Sequence, residues 1–130
     1  MLSFLDFHPN DLSPIYQQII RYVRQAIVAG AVRDGDEIPS RRALSALLGV
    51  NPNTVQKAYA LLEEQGLIQS RAGAKSCIVL DEGTAAEIRA QLIGEAALAA
   101  AESLAKLGLT CAEAQQLLRE HWPEQTGGNP

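Results

Sequence analysis

Between Ile38 and Ile68 the chain sets a helix-capping Ser40, a helix-ending Gly49 and then Asn51-Pro52, a second helix start with proline at the first helical position. Two short helices joined by a tight turn satisfy that order of starts and stops. In the second of them Val55, Ala58, Tyr59 and Leu62 recur at helical spacing and form one apolar stripe. Asn53, Thr54, Gln56 and Lys57 are left on the outer side of its first turn and a half. Amide side chains bridge an adenine edge, threonine bonds a base edge or touches a thymine methyl, and lysine and arginine meet phosphate or guanine. The stretch therefore reads as a helix-turn-helix with residues 52–65 as its recognition helix.

Flanking segments complete a small domain. Ser13-Pro14 predicts another helix start, and Ile15, Ile19, Val23, Ala26 and Ile27 give a supporting helix an apolar face that stops at Gly30. Asp34-Gly35-Asp36 is a turn, after which Glu37-Ile38-Pro39 crosses extended. After Gly66, residues 67–70 and 76–80 predict an antiparallel hairpin around Arg71-Ala72-Gly73-Ala74-Lys75, the wing of a winged helix-turn-helix. Ahead of all this, Phe4, Leu5 and Phe7 form an apolar cluster. It reads either as an arm packed on the domain or on a second subunit, or as a partly ordered terminus.

The motifs Pro14-Ile15-Tyr16-Gln17-Gln18-Ile19, Gly30, Pro39-Ser40-x-Arg42, Gly49-Val50-Asn51-Pro52-Asn53-Thr54-Val55 and Glu63-x-x-Gly66-Leu67-Ile68 together resemble the GntR family of bacterial transcription regulators. The Val-Asn-Pro-Asn-Thr-Val wording and the short tail are similar to its small YtrA-type branch, and the resemblance spans residues 13–80. It implies a phosphate or base contact at Arg42, and regulation of operons for ABC-type membrane transporters. The chain departs from the family at Arg41, where an acidic residue is common, and around Lys75 and Cys77, where relatives carry a second glycine and an aromatic. Arg41 reads as an added phosphate contact or a solvated charge. The wing reads as a phosphate contact rather than a minor-groove insertion.

A net charge of -4 looks adverse for a DNA binder until it is divided along the chain. Residues 38–80 carry Arg41, Arg42, Lys57, Arg71 and Lys75 against Glu63 and Glu64, whereas residues 81–130 carry three basic side chains against eight acidic ones. Positive charge is thus gathered where DNA reading is expected. The DNA-binding set is Arg41, Arg42, Asn53, Thr54, Gln56, Lys57, Arg71, Gly73 and Lys75.

From Ala85 to Leu107 the chain is alanine-rich and helical, opened by a Thr84/Glu87 capping box, and a Thr110/Glu113 box opens a last helix through about His121 with Ala114, Leu117 and Leu118 inside. Ile88, Leu92, Ala96 and Ala99 make one apolar stripe and Ile93, Ala97, Ala100, Leu104 and Leu107 another. Two stripes need partners. Pairing with a second copy across a two-fold axis is the favoured arrangement, with Ile88, Leu92, Ile93, Ala96, Ala97, Ala100, Leu104, Leu117 and Leu118 as the interface, and packing back on the winged helix is its rival. The expected organisation is an arm (1–12), a winged helix-turn-helix (13–80), a two-helix dimerisation hairpin (84–122) and a disordered tail (123–130).

The fold class is then mainly α with a small β-hairpin. Cys77 and Cys111 lie far apart with no metal-like spacing, so buried or incidental thiols are expected rather than a disulfide or zinc site. No apolar run reaches membrane-spanning length and the start lacks a signal-peptide pattern, which predicts a cytoplasmic protein. Catalytic triads, phosphate loops and paired carboxylates are missing, so neither an enzyme nor a cofactor is expected. The expected function is that of a homodimeric, sequence-specific regulator, a repressor, on a double-stranded DNA operator with inverted half-sites. A winged helix used only for protein interaction is the alternative, disfavoured by the polar outer face of the second helix. Operator and effector are not readable from the residues.

Overall fold

The computed structural model describes residues 1–70 and 75–124. Its elements run α1 (Ile15–Val28), β1 (Glu37–Ile38), α2 (Arg41–Leu48), α3 (Pro52–Glu64), β2 (Ile68–Ser70), β3 (Ser76–Ile78), α4 (Glu82–Lys106) and α5 (Cys111–His121). They fall into two compact units, Met1–Ala90 and Gln91–Pro130.

The first unit forms around apolar stripes at helical spacing. α1 buries Ile19, Val23 and Ile27, and α3 buries Val55, Ala58, Tyr59 and Leu62, all four fully. Leu44 of α2 and Ile38, Leu67, Ile68 and Ile78 from around the sheet close the core. Each such valine, leucine or isoleucine side chain contributes about 1.5–3 kcal/mol by leaving water. The start of α1 differs from expectation: Pro14 itself occupies the cap position with no side-chain cap, and the Ser13 carbonyl instead accepts from the Gln18 side-chain amide (Nε2) at 2.7 Å. The first turn closes on backbone alone, with the Pro14 carbonyl accepting from the Gln17 and Gln18 amides at 3.1 and 3.3 Å.

The hairpin of β2 and β3 has register Ile68↔Ile78, Gln69↔Cys77 and Ser70↔Ser76. Its turn, Arg71–Ala74, lies outside the described residues, as do residues 125–130 of the expected disordered tail. Sequence reading missed a third strand: β1 pairs antiparallel with β3, giving the order β1-β3-β2. At two residues it is too short to show a period of its own. The Asp34-Gly35-Asp36 turn feeds it, with Asp36 accepting from the Arg33 amide and Asp34 from the Leu80 amide, both at 2.8 Å.

Of the readings of the first residues, the packed arm is the one found, and it packs on its own domain. Phe4 and Phe7 are buried and ring Tyr22 at centroid distances of 4.8 and 5.2 Å. The Tyr22 hydroxyl donates to the Ser3 carbonyl at 2.7 Å, and the Leu2 amide donates to the Glu37 carbonyl at 3.0 Å. That last bond covers part of an open sheet edge. Leu5, grouped with the phenylalanines by sequence, points to solvent.

Helix α4 opens three residues earlier than expected. Asp81 supplies the cap in place of the expected Thr84, accepting from the Thr84 amide at 2.7 Å, because a carboxylate at a helix start gains from the dipole as well as from the hydrogen bond. Those bonds from Thr84 hold the Asp81 carboxyl below the usual range. Ile88, one of the residues expected to pair subunits, is buried within the first unit at 5% exposed and so belongs to this core.

In the second unit, α4 ends before Gly108, which takes the left-handed conformation (φ 84°), and α5 begins with the predicted box. Thr110 Oγ1 accepts from the Glu113 amide at 3.2 Å, while Glu113 Oε1 accepts from the Thr110 amide at 2.9 Å. Leu117 and Leu118, expected inside, are 36% and 42% exposed, and α5 buries no residue at all. Ile93, Leu98, Leu107 and Trp122 are also exposed, Leu92 and Leu104 partly so. Among the described residues, no helix is long and apolar enough to cross a membrane.

Candidate nucleic-acid interface

Helices α2 and α3 are set by their ends. Ser40 Oγ accepts from the Ala43 amide at 3.1 Å, and Asn51 Oδ1 accepts from the Asn53 amide at 2.8 Å. Between them Gly49 adopts φ 66°, and its amide closes on the Ser45 carbonyl. Nothing lies within 4 Å of where a Cβ would stand, so glycine is needed there for conformation alone. Ser45, buried, ties the turn with a 2.8 Å bond to the Val50 carbonyl.

Tyr59, fully buried, donates its hydroxyl to the Pro39 carbonyl at 2.6 Å, which fastens the start of α2 to α3. Burial pushes this phenol well above the ordinary tyrosine range, against the small opposing effect of the Arg41 charge. A shallow depression between the helices is lined by Arg41, Arg42, Ser45, Ala46, Pro52, Asn53 and Gln56. The geometry therefore brings Arg42 of α2 onto one exposed face with Asn53 and Gln56 of α3. No acidic residue stands in the first turn of either helix. Two positive helix ends and the exposed Arg42 favour an approaching phosphate.

The other expected residues divide. Lys57 is exposed with its ammonium 4.1 Å from the centroid of the Tyr16 ring, a cation–π contact that holds the lysine in one direction. Tyr16 was not singled out beforehand, and no local pattern could have done so, since the pair joins α1 to α3. Thr54 is half-buried, and its amide donates to the Asn51 carbonyl. Lys75 is exposed and pairs with Glu37 at 3.6 Å. Arg71 and Gly73 lie outside the described residues. Arg41 reaches Glu63 at 3.5 Å and lies 5.5 Å from the centroid of the Tyr59 ring.

Cys77 is buried and Cys111 exposed, both as free thiols. Among the described residues no group of three or more His, Cys, Asp or Glu could hold a metal ion.

Three helices followed by an antiparallel hairpin, with a polar outer face on the third helix, define a winged helix-turn-helix. The family described as bacterial regulatory proteins, gntR family, matches residues 15–78. Over 94 residues the chain is 36% identical to the HTH-type transcriptional repressor YtrA of Bacillus subtilis (strain 168), covering 68% of this chain and 72% of that protein. A GntR family transcriptional regulator from Listeria monocytogenes has a similar structure, with TM-score 0.76 and 29% identity over 86% of this chain and 98% of that one. BusR of S. agalactiae, solved in complex with its busA-promotor DNA, gives TM-score 0.54 and 25% identity over 81% of this chain and 51% of BusR. The chain belongs to the GntR family and resembles its YtrA-type members: it is a transcriptional regulator with a DNA-binding domain, and not an enzyme.

Proposed function

We propose that the protein is a cytoplasmic repressor that binds an inverted-repeat operator as a homodimer, with α3 in the major groove of each half-site. Asn53 and Gln56 read base edges, Thr54 assists, and Arg42, Lys57, Arg71, Gly73 and Lys75 contribute phosphate contacts. Repression is supported by the name of the B. subtilis relative. Control of a transporter operon is carried by the family resemblance.

The observation that carries the dimer is the second unit, whose described residues bury none of their apolar side chains while exposing Ile93, Leu98, Leu107, Leu117, Leu118 and Trp122. Small residues at Ala96, Ala97 and Ala100 permit close helix approach, and a two-fold partner covers its own copy of the same face. Two linked half-site contacts then bind far more tightly than either alone. The domain organisation we propose accordingly assigns DNA reading to the winged helix and subunit pairing to the helices beyond it.

Sedimentation of the full chain tests the pairing. Leu117→Glu combined with Leu118→Glu is expected to give a folded monomer with weakened DNA binding and unchanged base preference. A variant that remains dimeric would move the interface out of α5.

A further inference from the structure

Arg41 opens α2, an unfavourable place for a cation because the first turn of a helix is its positive end and this turn holds no acid. Its surroundings offset that. Arg41 Nη2 lies 3.5 Å from Glu63 Oε1 on the last turn of α3 and 3.5 Å from Ser70 Oγ at the end of β2. Ser70 Oγ in turn donates to the same Glu63 oxygen at 3.2 Å. The guanidinium lies over the Tyr59 ring, and its Nε is buried without a hydrogen-bond partner, out of reach of an approaching anion. Three side chains from three elements thus converge where the hairpin leaves the recognition helix. On the hairpin's other strand, Lys75 pairs with Glu37 of the β1 edge at 3.6 Å.

We infer that Arg41 is a positioning residue, which through Glu63 and Ser70 fixes the root of the wing against the recognition helix and spends its charge inside the protein rather than on DNA. The inference rests on the DNA-binding reading for its effect on affinity. Its effect on the hairpin is independent of that reading. Opposite signs separate the two roles of Arg41. Were it a phosphate contact, removing Glu63 would free it and tighten binding. As a clamp, Arg41 and Glu63 fail together.

The experiment uses the full chain with Arg41→Ala, Glu63→Gln, both together, and the exchanged pair Arg41→Glu with Glu63→Arg. Hydrogen exchange of the β2 and β3 amides is followed without DNA, and binding to a mixed-sequence duplex is followed across salt concentrations. Each single substitution is expected to speed hairpin exchange and weaken binding roughly fivefold, the upper range for an exposed ion pair. The double substitution should add nothing further, and the salt slope should stay at the wild-type value. The exchanged pair should restore most of both properties. Tighter binding by Glu63→Gln, a salt slope lowered by about one in Arg41→Ala, or additive effects would overturn the clamp. If the wild-type chain bound no duplex, the proposed function would fail, while the exchange data would still decide the role of Arg41.

Discussion

Tyr59→Phe isolates one hydrogen bond at the junction of the two motif helices. The ring stays in its fully buried site, so little apolar burial is lost and no cavity is created. What goes is the 2.6 Å bond to the Pro39 carbonyl, which then keeps only partial access to water. A lost intramolecular bond costs about 0.5–1.5 kcal/mol, and a poorly satisfied partner brings the expected total to about 1–2 kcal/mol. For a domain of this size that is a drop of roughly 5–10 °C in Tm. The phenol adds a second signature. Its folded pKa lies above its unfolded value, so its contribution to stability is complete below about pH 10 and is lost as pH rises through the folded pKa. Denaturant unfolding of wild type and Tyr59→Phe at neutral and strongly alkaline pH checks both points. The wild type should lose its advantage only at alkaline pH. A neutral-pH difference below about 0.3 kcal/mol would refute the reasoning, since it lies under the range for any real hydrogen bond.

Two further outcomes are expected. Lys57→Ala should weaken binding to all duplexes alike and lower the salt slope by about one, and Tyr16→Leu, which removes the ring that aims Lys57, should weaken binding with the slope kept; titration across salt concentrations reads both. Hydrogen bonds from Thr84 and Thr110 hold the carboxyls of Asp81 and Glu113 below their unfolded values, so the unfolded chain binds more protons. Both caps should stabilise fully above the ordinary carboxylate range and fade as pH falls through the folded pKa values, seen by NMR as fraying at the first turns of α4 and α5 that Asp81→Ala and Glu113→Ala, which remove the acceptors, each reproduce at neutral pH.

The core of the first unit was legible because it rests on local spacing. Val55, Ala58, Tyr59 and Leu62 share a helical face whatever packs on it, and Ser40, Gly49 and Asn51-Pro52 act within their own turns. The contacts of Arg41 were not legible because its partners Glu63 and Ser70 stand 22 and 29 positions away, a distance over which no period runs. The Lys57–Tyr16 contact was missed for the same reason. Ile88 fits the stripe of Leu92 and Ala96 perfectly well by period, yet a single helix serves two units and its first turns are claimed by the winged helix. A fragment ending at Leu80 would lose that buried side chain. At the start of α4 two acceptors competed, and spacing could not rank the Asp81 carboxylate above the Thr84 hydroxyl.

Base discrimination by α3 tests the central claim most directly. A duplex selected from a random pool by the wild-type chain, and the unselected pool itself, would each be titrated with wild type, Asn53→Ala and Gln56→Ala at one salt concentration. Loss of a base-edge contact is expected to cost about 1–3 kcal/mol on the selected duplex and little on the pool. Equal losses on both would contradict the account, since Asn53 and Gln56 would then position the helix without reading sequence.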